Sequence, residues 1–389
     1  QFTVVLDFMV MSPLGDLLMK DLQVKPYQFG IVVSSYALAA GLSGFLTAGF
    51  ADRFDRKRLL VFFYTGFIIG TLFCGLAQSY EQLVMARIFT GIFGGVMSSI
   101  AMAIVADLFS LQQRGRVMGF MQMGFGLSQI LGIPISLYIA SKSNWQMPFY
   151  MIVCLSLVMF LTILFGLKPV RAHLDQQTER SAFRHLLATI KNRNYRIGFM
   201  ATAFMSLGGY FMMPWGSAFA VNNVGLSQAQ LPLLFMVVGI STFMIMPLIG
   251  LLADKINKFQ LFMGASILMI FSVLVYVHLG QTTLFVLILV NIFMMGGIMA
   301  RMVPSQALTS SVPEIHDRGA FMSINSSLQQ IAGGIAAIIG GKIVWQQSPS
   351  APLMNFDILG YVVVAVILVN IYLTHRVYQY VASKNKEAA

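Results

Sequence analysis

The stretch GFADRFDRKR, residues 49–58, shows how this chain is organised. Six of the seven residues from Asp52 to Arg58 are charged, although Asp, Glu, Lys and Arg make up only 10% of the sequence. The charges follow directly on a long apolar run. A charged loop after an apolar run is typical of a chain that leaves a membrane and turns back into it. The stretch therefore predicts a short loop between two membrane spans.

The composition supports this interpretation. Of the 389 residues, 57% are hydrophobic, and the mean hydropathy is +0.78. A soluble domain is about 45–50% apolar and about 25% charged, and a globule of this size cannot hide so much apolar surface from water. Lipid offers the backbone no hydrogen-bond partners, and the apolar runs are long and continuous. We therefore expect bundled helices rather than a barrel.

Apolar runs of about 20 residues predict an all-α membrane protein with twelve transmembrane helices in two six-helix repeats. The predicted spans are 1–18, 27–50, 59–79, 82–108, 115–140, 147–167, 196–221, 228–252, 259–280, 283–308, 318–344 and 357–377. We expect an N-terminal bundle over 1–167, a cytoplasmic linker over 168–195 and a C-terminal bundle over 196–389. The linker pattern predicts an amphipathic helix on the membrane surface or, alternatively, a partner-binding helix.

The distribution of positive charge predicts the orientation. The net charge is +11, and nearly all of it falls in loops and a tail on one side of the predicted membrane. The positive-inside rule then places both termini in the cytoplasm. Because topology explains the charge, it gives no reason to expect nucleic acid as a partner. We expect a multi-pass protein of the cytoplasmic (inner) membrane.

The charged loops are repeated in the second half of the chain. FADRFDRKR after the second span is echoed by LADKINKFQ after the eighth, so Asp52 corresponds to Asp254. QQRGRVMG before the fifth span is echoed by IHDRGAFM before the eleventh, so Arg114 corresponds to Arg318. Parallel six-span repeats are one plan of secondary transporters, in which the substrate site lies near the midplane between the repeats.

These loops resemble those of the major facilitator superfamily, and the resemblance extends over the whole chain. The family's loop signature runs Gly-x-Leu-Ala-Asp-Arg-x-Gly-Arg-Lys. Here Asp52, Arg53, Arg56 and Lys57 match it, and Asp55 stands in place of the second glycine. The resemblance implies a transporter that works as a monomer.

Two motifs within spans resemble those of the twelve-span drug:proton antiporter branch, in its sugar-efflux-like variant. RIFTGIFGG in the fourth span carries Arg87, Gly91 and Gly95 of an Arg-x-x-x-Gly-x-x-x-Gly pattern. MGFGLSQILGIPIS in the fifth span resembles the antiporter glycine–proline motif through Gly132 and Pro134. The resemblance implies a gate against leak at this point. A kink that serves only helix packing is the alternative.

Two charges inside spans are the candidate proton-coupling residues. A carboxylate in the bilayer is costly unless it is paired or faces a water-filled cavity. Burial favours the neutral form of Asp7 and a nearby cation favours the charged form, so its proton can be bound and released in a cycle. Arg87 is the expected partner, because the first and fourth spans are neighbours in the superfamily. A static ion pair that only joins two helices is the alternative.

Uncharged polar and aromatic residues within spans are candidates for the substrate cavity, although some will serve only as contacts between helices. This group consists of Gln122, Gln129, Tyr210, Trp215, Asn291, Asn325 and Gln329. Arg301 in the tenth span has two interpretations. It either faces an anionic substrate in the cavity or extends to the nearby headgroups.

The charged loops predict a gate on the cytoplasmic side. Asp52 is expected to meet the N-terminal dipole of the eleventh helix near Arg318, and Arg56 is expected to pair with Asp107. Both contacts would form when the halves close on that side. The other charges of this predicted gate are Arg53, Lys57 and Asp254.

No enzyme chemistry is visible in the sequence. It has no phosphate-binding GxxxxGK[ST] loop and no cluster of histidine and cysteine ligands, so we expect no ATP, cofactor or metal. The predicted function is proton-coupled efflux of a small amphipathic organic molecule by alternating access. The predicted partners are the substrate, protons and membrane lipids. Two alternatives remain: a proton symporter importing a nutrient or siderophore-like solute, and a lipid or lysolipid transporter.

Overall fold

The computed structural model describes residues 1–171 and 182–387, which form helices and no sheet. The first half of the chain contains α1 (Phe2–Val10), α2 (Gly15–Asp21), α3 (Pro26–Ala48), α4 (Arg56–Leu76), α5 (Tyr80–Leu108), α6 (Leu111–Leu127), α7 (Ile133–Lys142) and α8 (Met147–Gly166). The second half contains α9 (Ala182–Lys191), α10 (Arg196–Tyr210), α11 (Gly216–Asn222), α12 (Leu231–Lys255), α13 (Lys258–Val277), α14 (Leu284–Ser310), α15 (Arg318–Ile343) and α16 (Phe356–Glu387).

The helices confirm the predicted all-α membrane fold. In the described ranges, ten helical stretches are long and apolar enough to cross a membrane, and α1 with α2 can form an eleventh. The remaining long helix, α15, has 26 residues, which at about 1.5 Å per residue is also sufficient. It is less apolar because it carries Ser, Asn and Gln, and it packs against α3 and α10. This arrangement is consistent with the predicted count of twelve.

The first span is not the continuous helix that the sequence predicted over 1–18. The chain bends by 55° between α1 and α2. Pro13 lies in this break, where it has no N–H to donate to the preceding turn. The break places α2 across the end of the bundle against α11.

The fifth span changes its winding at the predicted glycine–proline motif. Residues Ser128–Gly132 form a wide π-helical turn between α6 and α7, which ends two residues before Pro134, a residue that cannot donate a backbone hydrogen bond. The α1 helix fits against this turn: a methyl group on Gly132 would lie 2.6 Å from Leu6 Cδ1. The absence of a side chain at Gly132 therefore lets α1 pack closely against the fifth span.

The two ends of the helix bundle carry different loops and short helices. The linker end carries the α3–α4 loop, residues 168–171 and α9, whereas the α2 end carries α2 and α11. The two halves of the chain meet where α3 packs along α15 and where α7 packs on α12. The division at 168–195 stays a prediction, as does the assignment of either end to the cytoplasm.

Candidate functional site

An ion pair lies buried inside the first half. Asp7 on α1 and Arg87 on α5 are in contact, with 2.8 Å between Asp7 Oδ2 and Arg87 Nη1. Their side chains are 0% and 1% exposed. Thr71 on α4 donates a hydrogen bond of 3.1 Å to the other carboxylate oxygen. Either charge alone would be costly at this depth, so each residue stabilises the other.

Close packing of α3 on α5 adds an aromatic ring to the pair. The Arg87 guanidinium carbon lies 4.4 Å from the centre of the Tyr36 ring, in a cation–π contact. A methyl group on Gly91 would lie 2.5 Å from the Tyr36 carbonyl oxygen, and one on Gly95 would lie 2.5 Å from Ala40 Cα. These two glycines therefore let Tyr36 reach Arg87. The two glycines are recognisable from their sequence motif, whereas Tyr36 is not, because its only signal is its position in an apolar run.

Aromatic rings continue from the ion pair to the second half of the chain. Phe8 lies 5.4 Å from Tyr36 and 6.0 Å from Tyr210 between ring centres. Tyr210 in turn packs on α15, where a methyl group on Gly333 would lie 2.9 Å from its ring. We call Phe8, Tyr36 and Tyr210 the aromatic bridge. It places the buried pair next to the junction of the halves, which is where a transported molecule would bind in this kind of protein.

The ion pair leaves one donor of the arginine without a protein partner. Arg87 Nε is buried and has no hydrogen-bond acceptor among the described residues. The Nη1 atom donates to the Asp7 carboxylate and lies 3.5 Å from the Asp7 carbonyl oxygen. A buried donor without a partner is rare and needs an explanation. Arg87 is therefore able to bind one further acceptor.

Arg301 has a different environment in the second half. It lies on α14 and is 3% exposed. Its Nε donates to Ser266 Oγ of α13 and its Nη2 donates to Asn370 Oδ1 of α16, both at 3.1 Å, and its guanidinium lies 5.3 Å from the Phe262 ring. Asn370 also donates to the Ala201 carbonyl oxygen of α10 at 2.8 Å. Arg301 therefore joins four helices of the second half through neutral groups and does not extend to the headgroups.

The structure does not bring the other candidate cavity residues together into one cluster. Trp215 is fully buried, and its Nε1 donates a hydrogen bond to the nearby Phe211 carbonyl oxygen at 3.1 Å. Asn291 likewise donates within α14, to Leu287 at 2.8 Å. Asn325 is buried, and its side-chain oxygen has no partner among the described residues. Gln122 is exposed, while Gln129 and Gln329 are half-buried.

A carboxylate outside the predicted site residues joins the halves at the α2 end. Asp16 on α2 is fully buried. It accepts hydrogen bonds from Lys20 at 2.7 Å, from Asn222 at 2.6 Å and from Gln228. Nearby, the Ser217 hydroxyl donates to the Ser12 carbonyl oxygen at 2.9 Å. Asn222, Gln228 and Ser217 belong to the second half, so this α2-end cluster closes that end of the interface.

Asp55, which stands in the charged loop where the family signature has a glycine, stabilises the local structure. It caps α4 by accepting from the backbone N–H groups of Lys57 at 2.8 Å and Arg58 at 3.4 Å. It also accepts from Arg171 Nε at 2.7 Å and from the Val170 N–H at 3.4 Å. Burial raises the pKa of Asp55, but the bonds from Arg171 and the backbone outweigh it and hold the pKa below its ordinary value. Asp55 therefore fixes the start of the linker to the first half.

The second copy of the loop has a neutral residue at the same place. Asn257 caps α13 by accepting from the N–H groups of Phe259 at 2.9 Å and Gln260 at 3.4 Å. Its amide nitrogen donates to the Tyr378 hydroxyl at 2.8 Å. The repeat in the sequence is thus also a repeat of local structure, although only the first copy carries a charge there.

Of the predicted gate residues, Arg56, Lys57 and Asp107 form contacts within the first half. Arg56 Nε donates to Asp107 Oδ2 at 3.1 Å, and Lys57 Nζ donates to the Leu164 carbonyl oxygen at 2.8 Å. Both partners belong to the first half, so neither contact bridges the halves. The exposed residues of this group are Arg53, Asp254 and Arg318. The proposed contact of Asp52 concerns a side chain outside the described residues.

The helix α9 packs on α15, and its place on the membrane surface stays a prediction. Leu186 is buried in a cluster with Leu308 and Phe321, whereas Leu187 is exposed. The carboxylate of Asp317 lies 2.7 Å from His185 Nε2 and accepts from the Tyr195 hydroxyl at 2.7 Å.

The pKa values of Asp317 and Tyr195, which meet in this contact, are both shifted from their ordinary values. Burial raises the pKa of Asp317, but the bonds from Tyr195 and His185 outweigh it and lower the pKa below its ordinary value. Burial is also the main reason that the pKa of Tyr195 rises to about 12. The end of the linker is therefore held to the second half by an ionised carboxylate. No group of three His, Cys, Asp or Glu side chains in the described ranges could hold a metal ion.

Comparison with known proteins shows which family this chain resembles. The sequence profile of the Major Facilitator Superfamily matches residues 1–337. Multidrug resistance protein 3 of Bacillus subtilis (strain 168) is 32% identical over 152 residues, which cover 39% of this chain and 30% of that protein. The cis,cis-muconate transport protein of Acinetobacter baylyi is 27% identical over 278 residues, which cover 68% of this chain and 67% of that protein.

A solved structure has the same fold. A bacterial homologue of the human lysosomal transporter Spinster, in an inward-facing and unoccupied conformation, matches with a TM-score of 0.75. The match covers 98% of this chain and 95% of that chain at 14% sequence identity. The profile match, the bundle of membrane-spanning helices and the repeated loops agree. The chain belongs to the Major Facilitator Superfamily and is a multi-pass membrane transporter.

Proposed function

We propose that the chain exports a small amphipathic organic molecule in exchange for protons. The observation that carries this proposal is the buried Asp7–Arg87 pair, joined by the aromatic bridge to the second half. The rings of the bridge offer apolar contact to a substrate, and the ion pair offers a charge that can change. Relatives named as multidrug resistance proteins support the direction of transport.

Asp7 is the proposed proton carrier. In its charged form it holds Arg87 through the 2.8 Å contact. When Asp7 takes up a proton, it becomes neutral and no longer attracts a cationic or hydrogen-bond-donating group of the substrate. Proton binding and substrate binding then compete for one carboxylate. Such competition is the requirement for exchange, because each ligand must favour a different state.

The state of the molecule follows from its closed end. The α2-end cluster joins the halves through Asp16, whereas the 3.1 Å ion pair of Arg56 with Asp107 at the linker end lies within the first half. We assign the linker end to the cytoplasm, because the excess positive charge of the loops lies there. With this assignment, we propose that the conformation is closed to the outside. Rocking of one half against the other would open the α2 end.

Uptake of a small organic anion is the second candidate. It is favoured by the unpartnered Nε of Arg87 and by the similarity to a protein named for cis,cis-muconate transport, which covers more of this chain than the multidrug relative does. In this case the anion would occupy Arg87 while Asp7 is protonated. Proton and substrate would move in the same direction.

Transport by purified protein in liposomes with an imposed pH gradient tests both candidates. The measurement is flux of a panel of amphipathic cations and carboxylates through the unaltered protein, the Asp7→Asn variant and the Glu81→Gln variant. Glu81 is an exposed carboxylate on the same helix as Arg87, so its variant is a matched control. We expect the pH gradient to drive flux in the unaltered and control proteins and not in Asp7→Asn. Gradient-driven flux through Asp7→Asn equal to that of the control would refute the proposed role.

A further inference from the structure

A cavity at the linker end of the first half is not used by the proposed transport cycle. It encloses about 700 Å³ beside the α3–α4 loop and the start of α4. Three arginines line it: Arg53, Arg58 and Arg171. Their opposite wall is apolar and includes Phe54 and Phe62. We call this cavity the basic pocket.

The charge of the basic pocket is not balanced by its own carboxylate. Within the described ranges, Asp55 is the one acidic residue of its lining, and its oxygens accept from Arg171 and from three backbone N–H groups. Among the described residues, Arg53 and Arg58 have no ion-pair partner. Arg171 is 56% exposed although it bonds to Asp55. The pocket therefore presents two or three guanidinium groups to an anion. Arginine is the residue best suited to bind phosphate, because its planar group donates two parallel hydrogen bonds.

The apolar wall of the basic pocket favours a ligand that has an apolar part as well as an anionic group. Phe62 is 61% exposed and Phe54 is 51% exposed. Phe62 follows Arg58 by one helical turn on α4, so the ring and the guanidinium share one face of that helix. Arg58 lies near the start of the candidate membrane span Arg56–Leu76, where headgroups are expected, and Phe62 lies one helical turn further into that span. The ligand must then have an anionic head and an apolar tail.

We propose that the basic pocket binds an anionic phospholipid from the leaflet at the linker end. Its phosphodiester lies among Arg53, Arg58 and Arg171, and one acyl chain lies along Phe62. A phospholipid meets both demands, and anionic lipids are attracted to basic residues at the membrane surface. The site does not depend on what the protein transports, so it stands or fails independently of the proposed exchange.

Binding of phosphatidylglycerol to purified protein tests the proposal. Native mass spectrometry would count bound phosphatidylglycerol, with phosphatidylcholine of the same acyl chains as the zwitterionic reference. The test variant is Arg53→Gln with Arg58→Gln, which leaves Arg171 to hold Asp55. The matched control is Lys255→Gln with Lys258→Gln, which removes two exposed charges from the corresponding loop of the second half.

We expect phosphatidylglycerol to bind the test variant about 30-fold more weakly, because two basic contacts are lost. The control variant and the binding of phosphatidylcholine should change less than about twofold. Equal losses in the test and control variants would overturn the site. Displacement of the lipid by an equal concentration of glycerol phosphate would identify a site for free phosphate and also overturn it.

A second measurement keeps the test valid if the double variant does not fold. Phe62→Trp places a fluorophore in the apolar wall and leaves all three arginines in place. In nanodiscs, brominated phosphatidylglycerol should quench the added fluorescence more than brominated phosphatidylcholine does. Equal quenching by the two lipids would contradict the proposal, because it would mean that the pocket does not select the anionic headgroup.

Discussion

The two halves of the molecule each bury an arginine, but they stabilise it in different ways. Arg87 in the first half contacts the carboxylate of Asp7, whereas Arg301 in the second half contacts the hydroxyl of Ser266 and the amide of Asn370. A carboxylate can gain or lose a proton, but a hydroxyl and an amide cannot at any ordinary pH. The first half can therefore change its buried charge, and the second half cannot.

The same contrast appears at two other places. Asp55 caps α4, and at the corresponding place in the second half Asn257 caps α13. At the α2 end, the first half contributes the carboxylate of Asp16, and the second half contributes the amides of Asn222 and Gln228. At these places a titratable group of the first half has a neutral counterpart. In the proposed exchange, protons therefore act on the first half, and the second half is the neutral partner.

The largest expected effect is on the free energy of unfolding, when one partner is removed from each of the two buried arginines. Asp7→Leu leaves Arg87 buried without a counter-ion, and we expect the free energy of unfolding to fall by about 3–5 kcal/mol. Asn370→Leu removes only a neutral acceptor of Arg301, and we expect a loss of about 1.5–3 kcal/mol. Unfolding of the purified variants in mixed micelles would measure both.

A double variant separates loss of the partner from loss of packing. Asp7→Leu combined with Arg87→Leu removes both charges, and replacing a buried pair by apolar groups is often neutral. We therefore expect this variant to regain most of the stability lost in Asp7→Leu. A loss for Asn370→Leu as large as that for Asp7→Leu would remove the contrast between the halves.

The next effect concerns the α2-end cluster. Asp16→Ala removes the acceptor of Lys20, Asn222 and Gln228, and we expect about 2 kcal/mol less stabilisation of the closed α2 end. That corresponds to a shift of about 30-fold towards conformations open at that end. Distances between spin labels at the exposed residues Gln23 and Gln281 would report it, with exposed Cys154 replaced by serine.

A matched control lies on the same helix. Asp21 accepts from Trp145 Nε1 at 2.7 Å, and both residues belong to the first half. Asp21→Ala should therefore leave the distance between the labels unchanged. If the two variants open the α2 end to the same extent, Asp16 does not act as a contact between the halves.

The smallest effect concerns the two helix caps and acid. The pKa of Asp55 is lower in the folded protein than its ordinary value. Its contribution is therefore fully present above the ordinary carboxyl range, near pH 4, and is lost as the pH falls through the lowered folded pKa. Asp55→Ala should reduce stability by about 1 kcal/mol at neutral pH, and by progressively less in acid.

Asn257→Ala provides the comparison for this cap. It should also reduce stability by about 1 kcal/mol, but by the same amount at every pH, because an amide does not titrate. Thermal unfolding of both variants and the unaltered protein between neutral pH and pH 3 would measure this. A loss in Asp55→Ala that does not depend on pH would mean that the charge of Asp55 adds nothing to its cap.

The fold could be predicted from sequence because membranes impose strong rules on composition. Long apolar runs and charged loops located the spans, including the polar α15, whose runs are interrupted by Ser, Asn and Gln. The break at Pro13 was missed, since a proline within an apolar run does not reveal whether the helix bends or stops. The packing of α9 on α15 was also not predicted, because an amphipathic pattern does not reveal which apolar surface will cover it.

The candidate site was only partly predictable for a similar reason. Asp7 and Arg87 stand out because charges are rare within spans. Tyr36, Phe8 and Asp16 do not stand out, because their roles depend on partners that are distant in sequence. The role of Arg301 was left open between two interpretations, and neither included Ser266 or Asn370. Polar partners across a helix bundle depend on packing, which a single sequence does not encode in any local pattern.

Release of protons on substrate binding is the most direct test of whether the first half carries the proton. The measurement uses purified protein in weakly buffered detergent with a pH indicator, and a substrate found by the liposome panel. We predict that the unaltered protein and the Asn370→Leu variant release protons when substrate is added, and that Asp7→Asn binds substrate without releasing any. Proton release by Asp7→Asn equal to that of the unaltered protein would contradict the central role of the first-half carboxylate.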